Sequence, residues 1–154
     1  FPNATYMVQQ GDLDFARHPN ERTRASYLPP NFEPIFEAGK WRLLEGDGEV
    51  LPGISVRVTP GHVPWHQAIL LRDGGDTLAY IADLIPTRHH LPLPWIMGYD
   101  LEPLRTLESK RQLIHQAQDE GWWIVFEHDP DVVMGRLVGG EKGPELIAQV
   151  PVPG

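Results

Sequence analysis

Four short apolar runs, Trp41-Arg42-Leu43-Leu44, Ile54-Ser55-Val56-Arg57-Val58, Ala68-Ile69-Leu70-Leu71 and Leu78-Ala79-Tyr80-Ile81-Ala82, are separated by Gly-Asp-Gly, Pro-Gly and Asp-Gly-Gly. Such runs, bounded by turn residues, predict β-strands. Upstream, Tyr6-Met7-Val8 predicts a further short strand, and residues 12–18 and 20–27 predict short helices or turns that stop at Pro29-Pro30. One longer helix is expected after residue 100. Asp100 stands as its cap, Pro103 lies in its first turn, Leu104, Leu107, Leu113, Ile114 and Ala117 supply an apolar face, and Gly121 ends it. Trp122-Trp123-Ile124-Val125-Phe126 is apolar at every position, the pattern of a central strand covered on both faces.

Three of these runs lead into an acid or an imidazole: His62 in Thr59-Pro60-Gly61-His62, Asp83 in Ile81-Ala82-Asp83-Leu84, and His128 in Phe126-Glu127-His128-Asp129. Strand ends at one edge of a sheet are where a fold can gather ligands around a metal. The chain has no cysteine, so a metal would be held by imidazole and carboxylate, a donor set suited to zinc, iron, manganese or cobalt. Three such residues do not fill two metal centres that also keep positions open for water.

The 154 residues are 41% apolar and 22% charged, with a mean hydropathy of -0.31. That is the composition of a soluble globular domain, or of a piece of one. No apolar run approaches the ~18 residues of a membrane span, and no signal peptide precedes the first strand, so a cytoplasmic protein without membrane contact is expected. The chain begins Phe1-Pro2-Asn3 without an initiator Met, and is expected to be cut from something longer. A net charge of -8 disfavours nucleic acid, whose phosphates need a basic surface. A small or neutral substrate fits better.

Taken together, Phe1-Pro2-Asn3-Ala4, Leu51-Pro52-Gly53-Ile54, Thr59-Pro60-Gly61-His62-Val63-Pro64-Trp65-His66, Ile81-Ala82-Asp83-Leu84 and Glu127-His128-Asp129 resemble the C-terminal part of a metallo-β-lactamase-fold hydrolase, in its lactonase and organophosphate-hydrolase branch. Their order and the spacings, 21 residues from His62 to Asp83 and 45 from Asp83 to His128, make the set specific. The resemblance implies an α/β fold, an αββα sandwich of which residues 1–154 form the incomplete C-terminal part of one domain. It also implies two divalent metal ions, zinc foremost, at one edge of the sheets. His62 would ligate the first, His128 the second, and Asp83, the catalytic carboxylate, would bridge both. The implied activity is hydrolysis of a small-molecule ester or lactone by a metal-activated hydroxide. A phosphotriester or phosphodiester hydrolase and a non-catalytic binding domain are the alternatives.

The family's earlier His-x-His-x-Asp-His motif has no counterpart here; His89-His90 is an adjacent pair with the wrong spacing. Either an N-terminal fragment or partner chain carries the remaining ligands, which is the expectation, or the site is degenerate. An uncovered sheet face would also call for a tightly associated partner, and a homo-oligomer is compatible with this. Trp65 stands where the family usually has a small residue, and Val63 where it often has Thr. His66 is expected to orient or support its neighbours instead of ligating. The segment from Pro86 to Tyr99 is the candidate substrate loop, with His89, His90, Trp95 and Tyr99 as candidate contacts. The competing reading is that Trp95, Ile96 and Met97 cover the following helix and that the two histidines are a surface pair. His18 and His115 have no such support as ligands, and His115, on a helix beside Gln and Asp, is expected on a solvated face.

Overall fold

Asp73-Gly74-Gly75-Asp76 shows how the turn residues set the architecture. Asp73 pairs with Asp76, and the two glycines between them have φ of +55° and +93°, a two-residue hairpin turn that suits the twist of the strands it joins. The computed structural model describes residues 1–141 and 143–153 and divides into two compact units, Phe1–Gly46 and Asp47–Gly154.

In the first unit β1 (Tyr6–Gln9) pairs in parallel with β2 (Trp41–Leu44). Between them run α1 (Gln10–Arg17) and α2 (Glu33–Glu37). Leu13 and Ala16 of α1 are buried. Arg17 lies over the Phe36 ring at 4.1 Å and pairs with Glu33 at 2.9 Å, so the two helices are joined by both charge and ring contact. Within residues 20–27, positions 21–26 form turns, one of the two outcomes the sequence allows.

The second unit is one seven-stranded sheet, ordered β3 (Gly48–Leu51), β4 (Ile54–Val58), β5 (Gln67–Asp73), β6 (Asp76–Tyr80), β7 (Trp123–Val125), β8 (Val132–Gly140) and β9 (Gly143–Pro151). Every neighbouring pair is antiparallel except β6 and β7. Parallel neighbours need a crossover, and α3 (Pro103–Asp119) lies within it. Leu113, Ile114 and Ala117 of this helix share one buried cluster with Ala68, Leu70, Ala79, Ile124 and Leu137 of the sheet. The mixed α/β class expected from the sequence is what is found.

Three details differ from expectation. The hairpin β8–β9 follows His128, where no strand is anticipated. Leu104 is 80% exposed, and the buried face of α3 begins instead with Thr106, Ser109 and Lys110. Asp100 does not cap the helix; Glu102 occupies that position without a side-chain cap bond. Among the described residues, no helix is long and apolar enough to cross a membrane.

Candidate metal centre

Because β4 and β6 each run antiparallel to β5 and β6 runs parallel to β7, the C-terminal ends of β4, β6 and β7 lie at one edge of the sheet. His62, Asp83 and His128 each follow one of these ends. Their side chains meet there. His62 Nε2 is 3.5 Å from one carboxylate oxygen of Asp83, and His128 Nε2 is 3.4 Å from the other. Asp83 sits on a 3-10 turn, Ala82–Leu84, entered through Ala82 at φ +45°. A non-glycine residue in that region is strained, and such strain is held only where the surroundings enforce it.

His62 is oriented from behind. Its Nδ1 is 2.9 Å from Asp100 Oδ1, and the Thr106 hydroxyl donates to Asp100 Oδ2 at 2.7 Å. Asp100 is buried and, when ionised, can only accept, so Nδ1 carries the proton. In the neutral ring Nε2 then presents a lone pair toward the Asp83 carboxylate. Two acceptors facing each other repel unless a cation or a proton lies between them. The hydrogen bond to Asp100 raises the His62 pKa above its ordinary value, with the charges of Asp83 and Asp100 adding and burial opposing. The donor set, two imidazoles on opposite oxygens of one carboxylate, therefore fits divalent cations. Replacing Asp100 with Asn, which keeps its size, is expected to weaken metal binding about 10–100-fold, measured by chelator competition. Unchanged affinity would contradict the orienting role.

Glu127 also enters this cluster: Asp83, Glu127 and His128 each offer a ligand atom within 4.8 Å of the others. Tyr80 is hydrogen-bonded to Glu127, and burial first, then that bond and the Glu127 charge, push its hydroxyl up to about 12. His66 lies behind the site. Its Nδ1 is 2.7 Å from the Thr59 hydroxyl, its ring meets that of His62 edge-on at 5.9 Å, and its Nε2 is buried without a hydrogen-bond partner among the described residues. Burial, reinforced by His62, lowers its pKa to about 4, so it is neutral at physiological pH.

On the candidate substrate loop, Tyr99 comes to the site, its ring edge-on to His62 at 6.1 Å. His90 turns Nδ1 back to the Thr87 hydroxyl at 2.9 Å, while His89 and Trp95 are exposed. Among the described residues, none of these three makes an ion pair or ring contact with His62, Asp83 or His128. The loop is tied to the His128 segment instead: His128 N donates to Pro86 O at 3.0 Å, and Arg88 N donates to Asp129 Oδ2 at 2.8 Å while its guanidinium pairs with both Asp129 and Asp131. His115 pairs with Asp119 on the exposed surface, and His18 Nδ1 bonds the Asp14 carbonyl.

Sequence reasoning missed Thr106, Glu127, Tyr80 and Arg88, and assigned Asp100 a different task. It also missed Lys110, for which one signal was available: this residue falls three positions from both Leu107 and Leu113, on the stripe where an apolar residue is due.

The sheet thus brings two imidazoles and one carboxylate to its C-terminal edge, a donor set suited to divalent metals. Residues 2–128 match the Metallo-beta-lactamase superfamily, and the chain belongs to that family. An N-acyl homoserine lactonase, AttM, from Rhizobium radiobacter is 27% identical over 155 aligned positions, 96% of this chain and 57% of the relative. A probable metal-dependent hydrolase from Staphylococcus aureus superposes with a TM-score of 0.89 at 26% identity, over 100% of this chain and 54% of that one. An N-acyl homoserine lactone hydrolase with N-hexanoyl-L-homoserine at its catalytic metal centre superposes with a TM-score of 0.67 at 27% identity, over 84% of this chain and 48% of that one. The chain thus spans about half the length of these relatives.

Proposed function

We propose that this chain supplies His62, Asp83 and His128 to a two-metal hydrolytic site that opens small-molecule lactones or esters, with the remaining ligands coming from a segment outside these 154 residues. The observation that carries the proposal is the placement of His62 and His128 on opposite oxygens of Asp83, the arrangement a bridging carboxylate needs. The names of the relatives make an N-acyl homoserine lactone the first substrate to test, and the imidazole and carboxylate donors make zinc the first metal. Divalent ions held there would polarise the substrate carbonyl and lower the pKa of water. Asp100 holds the His62 proton on Nδ1 and leaves Nε2 free to ligate, and Tyr99 borders the space in front of His62.

The test uses the full-length protein. Lactone opening releases a proton at neutral pH, so a pH indicator follows turnover of N-hexanoyl homoserine lactone, which should fall to background on chelation and return with zinc. Metal-replete protein that opens no lactone or ester would refute the proposal; preferential cleavage of a phosphotriester would keep the site and replace the substrate.

A further inference from the structure

Lys110 lies on the buried side of α3 with no exposed surface. A buried ammonium is expensive unless it is well paired, and an apolar side chain of the same length would suit this stripe of the helix better. Among the described residues, no carboxylate forms an ion pair with Lys110; Asp100 acts on it only at longer range. Its partners are carbonyls: Nζ donates to His90 O at 2.6 Å, Pro92 O at 2.9 Å and Trp95 O at 2.8 Å, with Leu93 O at 3.3 Å. Burial lowers its pKa to about 8, which still leaves it mainly protonated at neutral pH with three N–H donors.

The acceptors all lie in the candidate substrate loop. Pro92 and Pro94 have no N–H to give, so backbone bonding within this segment is limited to turns, among them Trp95 N donating to Pro92 O at 2.9 Å. Lys110 adds to those turns a donor from outside the segment. Just upstream, Arg88 fastens the same loop to Asp129, next to His128. The side chains it presents are large and open: Trp95 is 59% exposed and Tyr99 66% exposed. Lys110 therefore grips the carbonyl of Trp95 while its indole faces outward.

We propose that Lys110 is the positioning residue of the substrate wall: its ammonium fixes residues 90–95, the stretch that leads into Tyr99 beside His62, so that this wall is preset to receive the apolar part of the substrate. This rests on the site reading above.

The test is Lys110→Met in the full-length protein; Met keeps much of the length and removes the donors. Amide hydrogen exchange over residues 91–97 should accelerate about tenfold or more. KM for N-hexanoyl homoserine lactone should rise about fivefold, with kcat within about twofold and bound metal unchanged. A folded variant with wild-type exchange in this segment overturns the proposal, as does faster exchange with unchanged KM. Should the variant fail to fold, lysine-selective nitrogen NMR of the wild type decides. Slowly exchanging Nζ protons coupled to the carbonyls of 90, 92 and 95 support the clamp, and a rapidly exchanging ammonium overturns it. Absence of wild-type turnover would strike the hydrolase reading and leave the exchange result standing.

Discussion

Asp83→Asn is expected to lower kcat/KM of the full-length, zinc-supplemented protein by about 10³-fold or more, equivalent to about 4 kcal/mol or more of transition-state stabilisation. Asparagine keeps the volume but has one oxygen and no charge. Only one of the two imidazoles would then face an oxygen, where in the wild type His62 and His128 each face their own at 3.5 and 3.4 Å. Metal analysis should show at least one equivalent lost, with unchanged far-ultraviolet circular dichroism. A variant that keeps both its metal and most of its turnover would remove Asp83 from the bridging position.

The candidate ligands were legible because each follows an apolar run, a local pattern. Their convergence was not local. It depends on β4, β6 and β7 running the same way in the sheet, and on a non-glycine Ala82 at positive φ, which no propensity announces. Asp100 illustrates the opposite error. Just before a helix, Asp is usually a cap, yet this carboxylate serves His62, 38 residues earlier in the chain.

The same cause explains α3. Its C-terminal half faces the sheet and is apolar, as periodicity predicts. Its N-terminal half faces loops, whose carbonyls and carboxylates need donors. Thr106 therefore serves Asp100, Ser109 donates to Pro60 O at 2.7 Å, and Lys110 serves residues 90–95. The apolar Leu104 is left outside. The hairpin β8–β9 was hidden by Gly135, Gly139, Gly140, Gly143 and Pro144, residues that normally mark turns. At Gly135 the position a Cβ would take lies 2.8 Å from the Leu146 side chain, so the missing side chain there makes room for packing.

Gly61→Ala is the substitution with the largest expected structural effect. Gly61 has φ +144°, and an added Cβ would lie 2.3 Å from Thr106 N and Oγ1 and 2.4 Å from Thr106 Cα. These are atoms at the start of a packed helix, two of them backbone, and they have little freedom to yield. The loop must lift instead. It is held to the same helix start by Glu102 N donating to Gly61 O at 2.9 Å and Leu101 N donating to His62 O at 3.1 Å, so lifting strains both bonds and draws His62 away from Asp100. Backbone strain and overpacking each cost about 1–3 kcal/mol, which places the expected destabilisation at roughly 2–6 kcal/mol in urea unfolding of the metal-free protein. Metal affinity should fall as well, because the displaced residue is the one beside the clash. A Gly61→Ala protein with stability within about 0.5 kcal/mol of wild type and full metal affinity would show that the approach of this loop to α3 is not what holds His62 in place.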